Sequence, residues 1–196
     1  MGNIYVCSDW HFCHQQDFLY SPRGFKNQHE MNKAIIERHN AIVQPDDDVY
    51  CLGDCVMNDN EEGIKCIKQL KGNIHIICGN HDTNAKIKLY EECYNVVEII
   101  DAKWLKHKKQ MFFLSHYPCL TDNHDADKPL SRRIINLCGH CHYKNKYKDM
   151  DKGLIYHVEM DAHNCKPILI EEIIEDIKTF ISLDKDAQKR LCENDI

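Results

Sequence analysis

The chain has 196 residues, 43% of them apolar, and a formal charge of −6, which suits one domain (residues 1–196) with a sizeable core and excludes a broad nucleic-acid surface. No apolar run approaches the roughly 18–20 residues of a membrane helix, and the N-terminus enters a strand in place of a basic-then-apolar leader, so a cytoplasmic location without membrane attachment is expected. The twelve cysteines agree with a reducing compartment, because Cys7, Cys51, Cys78 and Cys138 sit singly inside apolar runs as small buried hydrophobes.

In chain order, Ile4 to Cys7 reads as a strand that runs out at Ser8-Asp9-Trp10-His11, with Cys13 and His14 following. Arg23 stands in a Ser-Pro-Arg-Gly-Phe loop, as a phosphate contact or a solvated residue. Apolar positions at helical spacing predict a helix from Glu30 to about Val43, closed by Pro45. Val49 to Leu52 is a second strand, ending at Gly53-Asp54. Asn58 and Glu61 suggest a capping box, and Ile64, Ile67 and Leu70 supply the stripe of a helix that ends at Gly72. The β-branched run Ile74 to Cys78 completes a parallel βαβ unit and gives way to Gly79-Asn80-His81-Asp82.

A third helix is expected after Asp82, with Ile87, Tyr90 and Tyr94 on one face, then an edge strand from Val96 to Ile100 and a solvated, lysine-rich turn from Lys103 to Lys109. Met111 to Leu114 is a fourth buried run, ending in Ser115-His116. The loop from Cys119 to Ser131, which contains His124, has no structural signal and reads as a surface loop or a lid. Ile134 to Cys138 is a fifth run, ending in Gly139-His140-Cys141-His142, and Ile155 to Met160 a sixth, ending in Asp161-Ala162-His163-Asn164. A helix from Glu171 to Ile181 and a frayed helical tail after Leu183 finish the chain.

Five strands therefore end in side chains able to ligate a cation: Asp9 and His11, Asp54, Asn80, His116, and His140 with His142. In open α/β sheets, ligands bind outside the carboxyl ends of the strands, so these residues are expected to converge. Seven mixed oxygen and nitrogen donors exceed one tetrahedral site. They suit two borderline divalent ions, Mn, Fe, Zn, Ni or Co, sharing a carboxylate.

The series Asp9-Trp10-His11, Gly53-Asp54, Gly79-Asn80-His81-Asp82, Ser115-His116 and Gly139-His140-Cys141-His142 resembles the calcineurin-like metallophosphoesterases, in particular their small single-domain bacterial or phage members. The resemblance implies a two-layer β-sandwich flanked by α-helices and a dinuclear centre. One ion would be held by Asp9, His11, Asp54 and His142, the other by Asp54, Asn80, His116 and His140. Two divalent ions against two carboxylates leave a positive pocket in an acidic protein, which favours an anionic phosphoester. They would also acidify a bound water and offset charge on phosphorus. His81 is the candidate acid for the leaving oxygen, with Asp82 as its orienting partner, and His14 and His163 are supporting or substrate-side candidates.

Protein phosphatases of that superfamily carry an arginine after their Gly-Asp motif and another before Gly-Asn-His. Here Met57-Asn58-Asp59 and Cys78 stand in those places, which favours a small or nucleotide-like phosphodiester over a phosphoprotein. Two other readings attach to Cys138-Gly139-His140-Cys141-His142, which also fits c-type haem attachment or a Cys-x-x-Cys metal or redox site.

Overall fold

Continuous apolar runs give the inner strands of this chain two buried faces, and both find cover. The computed structural model describes residues 2–121 and 128–194. In chain order its elements are β1 (Ile4–Cys7), α1 (Asp17–Tyr20), α2 (Gln28–Ile42), β2 (Asp48–Cys51), α3 (Asn60–Lys68), β3 (Asn73–Ile77), α4 (Asn84–Tyr90), β4 (Val96–Ile100), β5 (Ala102–His107), β6 (Gln110–Ser115), β7 (Ile134–Cys138), α5 (Met150–Gly153), β8 (Ile155–His157), β9 (Ile168–Leu169), α6 (Ile170–Ser182) and α7 (Lys185–Glu193).

One sheet has the order β4-β3-β2-β1-β9 and the other β5-β6-β7-β8. β1 to β4 are parallel, and β9 closes that sheet antiparallel to β1. β6, β7 and β8 are parallel as well, with β5 antiparallel at the edge. Val6, Tyr50, Leu52 and Ile77 of the first sheet meet Phe112, Leu114, Ile135 and Leu137 of the second in the space between the layers. Cys7, Val49, Cys51, Ile74 and Ile76 face the other way, onto Met31, Ile35, Ile64 and Ile67 of α2 and α3. Strands buried on both faces read as continuous apolar runs, which is why the sequence shows them so plainly. The expected sandwich flanked by helices is the fold observed.

Four local expectations are corrected. Lys103 to Lys109 is no simple turn, since residues 102–107 pair along their whole length with β6. Only Leu105 there is buried, while Trp104 is exposed and Lys103 reaches Glu98 at 2.7 Å, so a single buried apolar side chain concealed the strand. The α3 cap is Asp59, which accepts from the Glu62 amide at 3.0 Å, one residue later than the Asn58–Glu61 pair. α4 stops at Tyr90, so Tyr94 leaves the buried face and stands exposed with its hydroxyl on the Lys68 carbonyl. The tail is a docked helix, capped by Asp184, with Cys192 buried and the carbonyls of Leu191 and Asn194 held by the Asn145 amide.

Of the loop from Cys119 to Ser131, the Cys119 amide donates to Asn136 at 2.8 Å and residues 130–132 form a 3-10 turn. His124 and the lid expectation attached to it lie outside the described residues. Among the described residues, no helix is long and apolar enough to cross a membrane.

Candidate metal centre

The carboxyl ends of β1, β2, β3, β6 and β7 converge, and their loops are locked together by backbone bonds. The Asp9 amide donates to the Gly53 carbonyl (2.9 Å), the His11 amide to Asp54 (3.0 Å), and the Gly139 amide to His116 (2.9 Å). Five candidate ligands adopt left-handed backbone: Asp9 (φ 58°), His11 (47°), Asp54 (55°), His140 (76°) and His142 (53°). Each such residue costs roughly 1–3 kcal/mol and persists only where its surroundings over-determine it. Glycine makes the close approach feasible. A Cβ on Gly53, itself at φ +92°, would lie 2.5 Å from the Gly79 nitrogen, and one on Gly139 would lie 2.4 Å from Asp9 Oδ2.

Each carboxylate has one oxygen pinned and one presented. Asp9 Oδ2 accepts from Ser8 Oγ (2.6 Å) and the His140 amide (3.0 Å). Its Oδ1 is buried without a hydrogen-bond partner and lies 3.6 Å from His11 Nε2 and 3.7 Å from His142 Nε2. Asp54 Oδ1 accepts from the His81 amide (2.8 Å), while Oδ2 lies 3.7 Å from His11 Nε2 and 3.6 Å from His116 Nε2. The His11 and His142 Nε2 atoms face one another at 3.1 Å. Two imidazole nitrogens at that separation, beside an orphaned buried carboxylate oxygen, fit a shared cation.

Two groups of donors have ligand atoms mutually within 4.8 Å: Asp9, His11 and His142, and Asp9, Asp54 and His116. Asn80 and His140 stand at the rim. Asn80 Oδ1 is 3.0 Å from His116 Nε2, and the His140 ring centre is 5.1 Å from that of His116, though its nitrogens fall outside both groups.

The ring orientations are set from outside. His116 Nδ1 lies 2.7 Å from the Leu52 carbonyl and His142 Nδ1 lies 3.0 Å from Asp161, which turns each Nε2 inward as metal-ligating histidines require. Burial alone would raise the Asp9 carboxyl, but the neighbouring imidazoles hold it well below the usual range, so it is ionised. Burial lowers His11 and His140, which favours the neutral imidazole with one nitrogen lone pair open to a cation. His142 is opposed by burial too, yet Asp161 and Asp9 outweigh that and raise it.

The remaining predicted residues are placed as follows. His81 is on the rim, its side chain 45% exposed, with Nε2 3.9 Å from Asp54 Oδ2. The expectation that Asp82 orients His81 is corrected. Its buried carboxylate accepts from the amides of Asp54 (2.7 Å), Cys55 (3.1 Å) and Gly79 (2.9 Å) and from the Tyr90 hydroxyl (2.8 Å), which ties the β2 and β3 loops together. The Asp82 carboxylate turns inward onto these amides while the His81 ring stands at the rim, so adjacency to His81 was the wrong cue.

His14 packs edge-on to His11 at 5.6 Å, and burial lowers it to about 4. His163 is away from the donors, buried with Nε2 2.9 Å from the His157 carbonyl, a packing role. Arg23 is not solvated but almost fully buried and paired with Asp161. Asp161, 19 residues past His142, is marked in the sequence only as the end of the sixth apolar run, a position that gives it no role toward His142. In the Cys-x-x-Cys segment, burial raises Cys138 and raises Cys141 to about 11, so neither is a ready thiolate, and no cysteine joins a metal-capable group among the described residues.

Two mixed sheets with carboxylates and imidazoles gathered at their strand ends define a cation-binding hydrolase of the sandwich type. The chain belongs to the calcineurin-like phosphoesterase superfamily, whose domain model matches residues 3–158, and it is a hydrolase of phosphoesters. It is 31% identical over 180 residues to an uncharacterized protein of Methanocaldococcus jannaschii, covering 89% of this chain and 91% of that one. A crystal structure of a protein of unknown function from Aquifex aeolicus shares the fold, with a TM-score of 0.68, 24% identity, and coverage of 90% of this chain and all of that one.

Proposed function

We propose that the protein is a phosphodiesterase for a small or nucleotide-like substrate, working with two divalent transition-metal ions, manganese first among them. The observation that carries this reading is the paired presentation of Asp9 Oδ1 and Asp54 Oδ2 to the inward nitrogens of His11, His142 and His116. Asp9, His11, Asp54 and His142 would hold one ion, and Asp54, Asn80, His116 and His140 the other. When bound, such ions supply Lewis acidity, acidifying a water and offsetting charge at phosphorus.

The protein's own part is positioning and proton transfer. Asp9 and Asp54 are each held by backbone donors, so their free oxygens need no reorganisation on binding. His81, half-exposed above Asp54, is the group that donates a proton to the leaving oxygen. Arg23 is spent on Asp161 and gives no bidentate grip to a terminal phosphate. That supports a diester, which needs less charge neutralisation than a monoester dianion.

The reading is tested with manganese-loaded protein, whose metal content is expected to be two ions per chain. Bis(p-nitrophenyl) phosphate should be cleaved and a phosphoserine peptide left almost intact. Efficient phosphopeptide turnover without diesterase activity would reverse the choice of substrate.

A further inference from the structure

Arg23 is a buried cation beside a centre that is itself meant to hold cations, and its contacts explain the placement. Its Nε donates to Asp161 Oδ1 at 3.0 Å and its Nη2 to Oδ2 at 2.7 Å, a two-pronged pair in which the arginine side chain is 1% exposed. Nη2 also donates to the Asp9 carbonyl (2.9 Å), and Nη1 to the Trp10 carbonyl (3.4 Å) and Met31 Sδ (3.7 Å). The same Asp161 Oδ2 lies 3.0 Å from His142 Nδ1, and Arg23 Nη2 is 3.4 Å from that nitrogen. One guanidinium thus ties the left-handed β1 loop to the carboxylate that aims His142. The planar fork of arginine can satisfy these acceptors together, whereas a lysine ammonium cannot match both carboxylate oxygens.

Buried ion pairs contribute little net stability, since desolvation offsets their attraction. What this pair does is geometric: it joins the Asp9–Trp10 backbone, which leads directly into His11, to His142, and Asp9, His11 and His142 are three donors for one of the two expected cations. The Asp54 and His116 donors touch neither member of the pair. They are held by Asp82 and the Leu52 carbonyl.

We propose that Arg23 and Asp161 are positioning residues for the Asp9–His11–His142 position alone, so that breaking the pair weakens one ion and spares the other. This rests on the two-ion reading above.

The test is a manganese titration of the full chain, with free Mn²⁺ counted by electron paramagnetic resonance and the melting temperature in EDTA as the control for folding. Wild type should bind two ions. Asp161→Asn should bind one ion as tightly as wild type and the other about 10- to 100-fold more weakly, the usual cost of losing a ligand's supporting partner. Arg23→Met should shift the same ion, and Arg23→Lys should fall between it and wild type. Because Arg23→Met leaves Asp161 charged and buried, the double variant Arg23→Met/Asp161→Asn removes both charges and must show the same selective loss.

In a His142→Ala background, Asp161→Asn should cost that ion less than it does in wild type, because the ring it aims is gone and only the tie through Arg23 to the β1 loop is left to weaken. Equal weakening of both ions, no weakening, or an undiminished loss in that background would each overturn the proposal while leaving two-ion binding intact. A wild type that binds only one ion would overturn the two-ion reading and the proposal together.

Discussion

The two halves of the candidate centre are built differently. On one side, Asp9, His11 and His142 come from loops 131 residues apart in sequence, and a buried side-chain pair, Arg23 with Asp161, joins them. On the other, a single carboxylate, Asp82, gathers three backbone amides and one hydroxyl to fix the loops of Asp54 and Asn80, while His116 is held by the Leu52 carbonyl. The first half is aimed through side chains and depends on one guanidinium. The second is aimed through main-chain groups, the amides of the adjacent β2 and β3 loops and the Leu52 carbonyl. A half fixed by backbone should resist substitution of its supports in geometry but lose fold stability, whereas the half fixed by side chains should lose metal selectively.

The largest effect expected is at His116 in the second half. His116→Ala removes a donor every substrate needs, so activity should fall by about 10³-fold whatever the leaving group, in the upper range for losing one electrostatic stabiliser. His81, on the rim of the same half, should behave otherwise. His81→Ala should keep both ions, lose little on p-nitrophenyl esters, and lose about 10²- to 10⁴-fold on an alkyl or nucleoside leaving group, the range of general acid catalysis. Rates across leaving groups separate the two. A uniform loss in His81→Ala would mean that His81 binds the phosphoryl oxygens instead.

The contrast in supports is sharpened by Asp82→Ala. Stripping a buried acceptor from three amides and the Tyr90 hydroxyl should cost about 3 kcal/mol of stability in the metal-free protein, given the penalty for buried unpaired donors. Urea unfolding in EDTA measures it, and a loss under 1 kcal/mol would show that the strands alone hold this half.

The smallest effect lies beneath the first half, where His157 is fully buried between Asp149 (2.9 Å) and Glu159 (2.9 Å). Burial opposes its charge, but the two carboxylates outweigh that and raise its pKa. A raised value means the folded state holds the proton more tightly. The stabilisation is therefore complete below about pH 6.5 and is lost as pH rises through the folded value. The melting-temperature gap between wild type and His157→Gln should narrow from pH 6 to pH 9 by a few degrees, on the order expected for a small stability change. A gap that widens with pH would show His157 neutral in the fold.

By itself the sequence determined the buried strands, the helices with regular apolar stripes, and the candidate donors at strand ends. These are local signals: a strand covered on both faces must be apolar throughout, and a polar ligand can follow only where it stops. The strand β5 escaped because an edge strand with one buried residue and two lysines has no such signature. Only the tertiary structure decided what supports the donors. The pairing of Arg23 with Asp161 spans 138 residues, and the turning of Asp82 away from His81 toward Tyr90 depends on how two loops meet. Residue type and spacing along a chain specify which groups can ligate an ion, but the direction in which each ring or carboxylate faces is set by partners brought together when the sheets close.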